Sequence, residues 1–176
     1  MDNFFGFHLV TLSDLVTPWK SFSEPIAWAE DGESWKTARV KLEVDAGDFF
    51  GLFLRLKSPA LRNGHGFLLQ TEFQPDEKVK SVIALERVEW KVGHTNSAIG
   101  PREYHFLDIP SSHIHKFEIN YIEGENRMRQ RNLPLAVPLD PDPGALEDFL
   151  DCAEKLLRIK GVSGIGRPGF QGRLVS

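Results

Sequence analysis

The residues best suited to chemistry are histidines concentrated in one part of the chain. Four of the six histidines lie between residues 94 and 115, at His94, His105, His113 and His115. Histidine is the side chain whose ordinary pKa allows proton transfer near neutral pH, and it is the commonest metal ligand. A local concentration of histidines therefore indicates either acid-base catalysis or a metal site.

His113 and His115 lie in a segment whose alternation of residue types predicts a β-strand from His113 to Ile122. Side chains two residues apart on a strand point to the same face, so both imidazoles are expected side by side. The same face would carry the apolar residues that follow, Phe117, Ile119 and Tyr121. The pair is therefore expected at the rim of a pocket, above an apolar face.

Four other residues are candidates for the same site. His94 and Asn96 follow an earlier predicted strand, in a loop bounded by Gly100, and this loop is expected to swing over the histidine pair. His105 lies between the two segments and is an optional member of the site. Glu86 shares a predicted strand face with apolar residues, and a carboxylate in such a place needs a partner, either an arginine or one of the histidines.

The histidine cluster is open to three interpretations. In the first, His94, His113 and His115 form the face of a zinc site, or of a similar divalent-metal site, with one coordination position open. In the second there is no metal, and two of the histidines act as general base and general acid. In the third the histidines are structural and bond to backbone carbonyls at the edge of the core.

A second feature is the alternation of Arg127, Arg129 and Arg131 with Met128 and Gln130. If this stretch is extended, three guanidinium groups line one face, and guanidinium binds phosphate through two parallel hydrogen bonds. These arginines are therefore candidate phosphate-binding residues close to the histidine site. The alternative is a solvent-exposed edge strand whose charges discourage aggregation.

Part of the chain resembles a family of small bacterial proteins of uncharacterised function. The resemblance lies in His94-Thr-Asn96, Gly100 and His113-Ile-His115-Lys-Phe117, followed by Glu123-Gly124 and Leu133-Pro134. It covers residues 85–159, and Ser97-Ala98 stands where the family has Pro-Asp. The resemblance implies a shared site and does not imply a particular reaction.

The composition is typical of one globular domain. A chain of 176 residues with 13 Phe and four Trp can bury a sizeable core, and we expect a domain over 1–160 with a glycine-rich, flexible tail over 161–176. No apolar run spans a bilayer and no secretory signal is recognisable, so a cytoplasmic protein without membrane contact is expected. The single cysteine, Cys152, fits a reducing compartment. The net charge of −4 disfavours indiscriminate binding to duplex nucleic acid.

The pattern of apolar residues predicts an α+β fold. Strands are predicted over 36–44, 49–56, 67–73 and 82–92, which favours an antiparallel meander and leaves a strongly curved or half-barrel sheet open. One amphipathic helix, with Asp142 as its N-cap, is predicted from apolar residues at helical spacing: Leu146, Phe149, Leu150, Ala153, Leu156 and Leu157. We expect this C-terminal helix to cover one side of the sheet.

Two main functional hypotheses follow. The first is a nuclease-like protein, of a toxin or defence kind, in which the histidines act on RNA or another phosphodiester and the arginines hold phosphate. The second is a non-enzymatic module that binds a protein partner, antitoxin-like or an adaptor, whose histidines are structural. A metal-dependent enzyme for a small molecule is a third hypothesis, which a deep apolar pocket beside the histidines would favour.

Overall fold

One large antiparallel sheet organises the part of the chain that the structure describes. The computed structural model describes residues 12–45, 51–60, 66–76, 78, 81–121, 128 and 132–168. Within them the protein is an α+β fold with few helices, the longest of which is C-terminal, and the sheet does not close into a barrel. The expected α+β class with a mainly antiparallel sheet is confirmed.

The elements are named here in chain order. They are α1 (Leu12–Val16), β1 (Lys20–Phe22), β2 (Ala29–Asp31), β3 (Trp35–Val44), β4 (Leu52–Pro59), β5 (Phe67–Phe73), β6 (Ile83–Trp90), β7 (His94–Thr95), β8 (Asp108–Ile109), β9 (His113–His115), α2 (Phe117–Asn120), β10 (Val137–Pro138) and α3 (Leu146–Leu157). Short 3-10 turns lie at Arg102–Tyr104 and Val162–Gly164.

The sheet order is β1-β3-β4-β5-β6-β9-β10, and β2 pairs with the half of β3 that β1 leaves open. Strands β3 to β6 form the meander, since each pairs antiparallel with the next along the chain. Strand β9 then pairs with β6, so that β6 lies between β5 and β9. Strands β7 and β8 form a separate two-stranded unit in the chain that connects β6 to β9.

The apolar core lies between one face of the sheet and α3. The alternation in β3 is confirmed, because its apolar set is buried: Ala38, Val40, Leu42 and Val44. Phe149 of α3 packs against Trp90 and Phe67, with ring centroids 6.3 and 6.4 Å apart. The indole N–H of Trp90 donates to the carbonyl of Pro143 at 3.0 Å, which joins β6 to the chain before α3. Helix α3 thus covers this face, which we call the core face.

The predicted strand over His113–Ile122 is wrong beyond His115. Strand β9 ends there, and Phe117–Asn120 turns into the helix α2. The Asn120 side chain favours this turn, because its amide donates to the carbonyls of Lys116 and Leu135 at 2.9 and 2.8 Å. The histidine pair therefore does not share a strand face with Phe117, Ile119 and Tyr121.

The N-terminal end of α3 differs from the expectation. Ala145 is the N-cap, and Asp142 instead accepts hydrogen bonds from the Ser111 hydroxyl and the backbone N–H of Ser112. Beyond the helix, Val162 and Ile165 are buried in the core. In the described part of the chain, no helix is long and apolar enough to cross a membrane.

Candidate metal centre

Strands β6 and β9 place four polar side chains together on the face of the sheet opposite α3. Arg87 lies directly opposite His115 and Glu89 directly opposite His113, while Ile114 between the histidines faces the core. Side chains directly opposite each other on antiparallel strands are close neighbours, with Cβ atoms about 4.5–5.5 Å apart. We call this side of the sheet the histidine face.

Glu89 is the centre of the cluster. Its Oε2 atom lies 3.0 Å from Nε2 of His113 and 3.2 Å from Nε2 of His115. The other nitrogen of each ring, Nδ1, lies near a backbone carbonyl, that of Ser111 at 3.0 Å for His113 and that of Leu135 at 3.1 Å for His115. Two histidines thus direct their Nε2 atoms at one carboxylate oxygen.

His94 completes the cluster from another part of the chain. Strand β7 pairs with β8, with His94 opposite Ile109, and this unit brings the His94 ring to 4.7 and 5.3 Å from the rings of His115 and His113. Nε2 of His94 donates to the carbonyl of Pro134 at 3.2 Å, which leaves Nδ1 with its lone pair. One ring nitrogen from each histidine lies within 4.8 Å of the others.

The cluster is reached from solvent on the side of Glu89. His113 and His115 are completely buried, and His94 is half-buried. The side chains of Glu89 and Arg87 keep 14 and 19 % of their surface exposed. Arg87, Glu89 and His94 are therefore the parts of the cluster that an incoming molecule would meet first.

The pKa values of the cluster are shifted by burial and by close contacts. Burial lowers the pKa of His115 to about 4 and also lowers that of His94. Burial acts to raise the pKa of Glu89, but contacts with His113 and His115 and the charge of Arg87 outweigh it and hold this pKa well below its usual range. Near neutral pH the centre thus combines an ionised carboxylate with neutral His94 and His115 rings.

The hydrogen bonds of the cluster do not balance without a cation. A neutral imidazole has one N–H, and each of His113 and His115 faces two oxygens that can only accept, a carbonyl at Nδ1 and the Glu89 carboxylate at Nε2. If each Nδ1–H donates to its carbonyl, two Nε2 lone pairs face a carboxylate oxygen. Burial lowers the pKa of His115, which disfavours a second proton on that ring. A metal ion among these atoms removes the conflict.

The distances fit such an ion. Zinc binds histidine nitrogen at about 2.0–2.1 Å, so two of its ligands lie about 3.4 Å apart at a tetrahedral angle and about 2.9 Å apart at a right angle. The distances of 3.0 and 3.2 Å from Nε2 to Oε2 fall within this interval. The carbonyl that each histidine contacts with its other nitrogen would hold the ring in place, as is usual around a metal. His113, His115 and Glu89 therefore have the spacing of ligands to one divalent ion, and a ring nitrogen of His94 lies within 4.8 Å of those of the other two histidines.

Asn96 and Asn120 fasten the backbone around the centre. The Asn96 amide donates to the carbonyls of Tyr104 and Ala136 at 3.0 and 2.9 Å, and its Oδ1 accepts from the N–H of Ala136 at 2.8 Å. Asn120 holds both the N–H and the carbonyl of Leu135. Since the Leu135 carbonyl also contacts His115, these two amides position the backbone that orients the rings.

The other predicted residues are not brought into the cluster. Glu86 lies on the core face, where its carboxylate accepts from the backbone N–H of Phe117 and its charged neighbours are Lys20, Glu118 and Arg158. Nε2 of His105 donates to the carbonyl of Gly100 at 2.9 Å, within its own loop. The arginines of the predicted phosphate ladder lie outside the described residues: Arg127, Arg129 and Arg131.

Sequence reasoning missed Glu89, Arg87 and Asn120. A signal for the first two is present, because Arg87 and Glu89 alternate with the apolar Val88 and Trp90 in a strand that other strands flank. Opposite charges two residues apart on such a strand indicate a polar face that is itself covered. Asn120 gives no such signal, since its role depends on where Leu135 lies.

Comparisons of the chain with protein-family models, with curated proteins and with solved structures find no match. The resemblance to an uncharacterised bacterial family therefore stays a prediction.

Proposed function

We propose that the protein is a metal-dependent hydrolase that acts on RNA or another phosphodiester. The observation that carries this proposal is a group of three histidines, two of which direct Nε2 at one carboxylate oxygen of Glu89, at 3.0 Å for His113 and 3.2 Å for His115. Three histidines with a carboxylate are a ligand set that zinc and other divalent ions bind.

A divalent ion held there would supply Lewis acidity and, with a water as an additional ligand, would lower the pKa of that water to near neutrality. In the hydrolysis of a phosphodiester, the water oxygen forms a bond to phosphorus and the bond to one ester oxygen breaks. That ester oxygen takes up a proton, so the products are a phosphomonoester and a free hydroxyl group. Arg87 supports this assignment, because it lies on the solvent side of the centre and a guanidinium there would stabilise charge on the phosphoryl oxygens.

The proposal is tested first by metal content. The protein, produced without a histidine tag, is expected to contain about one divalent ion per chain by elemental mass spectrometry. The double variant His113→Ala/His115→Ala should lose the ion, and the matched control His105→Ala, whose ring lies outside the cluster, should keep it. Circular dichroism verifies that both variants are folded.

Activity is tested on the same three proteins. A labelled single-stranded RNA should be cleaved by the unaltered protein and by His105→Ala. Cleavage should stop when a chelator is added and should return when zinc is supplied. The proposal is overturned if the double variant keeps the ion, or if it cleaves RNA as fast as the unaltered protein does.

A structural role in a protein-binding module is the second candidate. The complete burial of His113 and His115 favours it, because fully enclosed ligands are typical of sites that stabilise a fold. In this case the ion would raise the melting temperature of the protein, and no RNA cleavage would accompany it.

A further inference from the structure

A shallow pocket opens on the histidine face beside the metal centre. Its volume is about 180 Å³, and its lining consists of three cationic side chains, one amide and one apolar side chain: Arg55, Lys57, Arg87, Gln70 and Leu68. These residues come from β4, β5 and β6, so the pocket is built on consecutive strands of the meander. A pocket on three paired strands has a lining that the sheet holds in place.

Strand register connects the pocket to the metal centre. Arg55, Gln70, Arg87 and His115 are directly paired in one row across β4, β5, β6 and β9. Neighbouring strands lie about 4.8 Å apart, so the pocket begins one strand away from the histidines. Nε of Arg87 is 3.7 Å from Oε2 of Glu89, the oxygen that both histidines face. Arg87 therefore belongs to the pocket and also borders the metal centre.

The charges of the pocket favour an anion. The carboxylate of Glu72 lies 3.9 Å from the guanidinium of Arg55 and 3.4 Å from that of Arg39, so the two arginines share it. Lys57 pairs at 3.3 Å with Asp31, which is largely solvent-exposed. The three cations of the lining thus face three carboxylates, of which Glu72 is shared with Arg39 outside the pocket and Glu89 would be neutralised by the ion. The pocket therefore has a net positive charge once the ion is bound.

Arg87 also has unused hydrogen-bonding capacity. Within the described part of the chain, its buried Nε–H has no hydrogen-bond acceptor, and 3.7 Å to Glu89 is too long for a hydrogen bond. A buried donor without a partner is unfavourable, so this guanidinium is not fully satisfied by the protein. A planar guanidinium suits a phosphate, because it donates two parallel hydrogen bonds to it.

The size of the pocket limits what fits. A volume of about 180 Å³ holds several waters, each of which takes about 30 Å³ in the liquid, and it is below the 300–1,000 Å³ of pockets that enclose drug-sized ligands. One tetrahedral anion fits, whereas a whole nucleotide does not. The apolar lining is limited to Leu68, so an apolar ligand would gain little from this site.

We propose that this pocket, lined by Arg55, Lys57, Gln70 and Arg87, binds a phosphate group of the substrate beside the metal centre. The proposal rests on the proposed function, because it names the residues that make the substrate of that centre a phosphate ester. It places a phosphate-binding site on strands β4 to β6, separate from the predicted arginine ladder, which lies outside the described residues.

The test measures anion binding separately from metal content and from catalysis. Binding of inorganic phosphate is measured by calorimetry, and binding of a short single-stranded RNA by fluorescence anisotropy, on both chelator-treated and zinc-loaded protein. The variants are Arg55→Gln and Lys57→Gln, whose side chains are about one third exposed, and circular dichroism verifies that both are folded. Each should weaken binding of both probes about 5- to 20-fold, because each loses a charge-assisted hydrogen bond to phosphate.

The matched control is Lys160→Gln, which removes a surface cation paired with Asp45 at 2.6 Å and outside the pocket. It should bind both probes as the unaltered protein does. Weaker binding in the two pocket variants alone supports the proposal, whatever the metal content proves to be. The proposal that this pocket binds phosphate is overturned if the unaltered protein does not bind phosphate. It is also overturned if the unaltered protein and the three variants bind phosphate equally. A protein that holds zinc and gives this last result still retains the proposed metal centre.

Discussion

His113 and Glu89 lie directly opposite each other on β9 and β6, with Nε2 of the histidine 3.0 Å from Oε2 of the carboxylate. The contact follows from the sheet topology. Strand β9 pairs with β6, and the connection between these two strands contains the β7–β8 unit. That unit carries His94 and returns it to the same point. One connection between strands thus supplies both the strand that bears the histidine pair and the third histidine.

The variant Glu89→Gln tests whether the carboxylate is a ligand. Replacing it with a neutral amide removes the negative charge from the proposed metal centre, and we expect zinc affinity to fall by at least about 10- to 100-fold. Competition with a chromogenic chelator measures the affinity. The control Glu118→Gln makes the same chemical change at an exposed position of α2 and should leave the affinity unchanged. Equal affinities in the two variants would exclude Glu89 from the coordination sphere.

Removal of the ion should lower stability. The ion binds the folded arrangement of four ligands and not the unfolded chain, so zinc at 100 times its dissociation constant stabilises the protein by about 2.7 kcal/mol. For a domain of this size that amounts to a rise in melting temperature of about 5–10 °C. Thermal unfolding followed by circular dichroism, with zinc and with a chelator, measures the difference. A similar shift in His113→Ala/His115→Ala would place the bound zinc elsewhere.

Parts of the site can be predicted from the sequence because they depend only on local spacing. The separation of two between His113 and His115 places both rings on one face of any strand that contains them. The alternation in β3 likewise predicts its buried side chains correctly. His94 was identified because it follows a strand and lies near the pair in sequence.

Other parts depend on pairings that no local pattern contains. Glu86 attracts attention as a carboxylate among apolar neighbours, yet the residue that meets the histidines is Glu89, on the other face of β6. Which carboxylate is chosen depends on the register between β6 and β9. The end of β9 at His115 is similarly set from outside the segment, by hydrogen bonds between Asn120 and Leu135.

The variant Asn96→Ala tests the fastening of the loop that carries His94. It removes three hydrogen bonds of a buried amide to the backbone of Tyr104 and Ala136, so we expect a loss of about 2–4 kcal/mol in the free energy of unfolding. Urea denaturation measures it. Zinc affinity should fall as well, since His94 is two residues away. The exposed Asn132→Ala is the control, with a change within about 0.5 kcal/mol. Equal losses in both variants would show that Asn96 does not fasten the loop.

Glu86 and Lys20 should give stability a dependence on pH. Burial raises the pKa of Glu86 from 4.5 to about 7 and lowers the pKa of Lys20 from 10.5 to about 8. The folded state binds the Glu86 proton more tightly than the unfolded state does, so stability from this group falls as pH rises from 4.5 through 7. For Lys20 the unfolded state binds the proton more tightly, so stability rises from pH 8 to 10.5. On their own these two groups give a minimum near pH 7–8. The lowered pKa of His115 adds a rise in stability between pH 4 and 6.5, so the contribution of Glu86 is read from a variant.

The variant Glu86→Gln should remove the acidic side of this minimum. We compare the free energy of unfolding of the variant with that of the unaltered protein at each pH. The difference, variant minus unaltered protein, should be about 1–3 kcal/mol larger at pH 8 than at pH 5, which means that the variant gains relative stability at the higher pH. The gain stays below the full effect of the shift because Lys20 loses a nearby opposite charge. Chemical denaturation at the two pH values measures it, with the exposed Glu103→Gln as control. A pH dependence identical to that of the unaltered protein would contradict the assignment.

Gly100 should tolerate no side chain, because two independent constraints meet at this residue. Its φ of +75° is in the left-handed region, which costs another residue about 1–2 kcal/mol, and an added Cβ would lie 2.7 Å from Cδ1 of the buried Leu135. Gly100→Ala should therefore lower the free energy of unfolding by about 2–3 kcal/mol in urea denaturation. It should also weaken zinc binding, since the Leu135 carbonyl holds His115.

Gly144→Ala adds the same methyl group where nothing lies within 4 Å, and it should change neither quantity. Equal urea midpoints for the two variants would show that Leu135 moves freely, and the link from Gly100 to the metal centre would then be wrong.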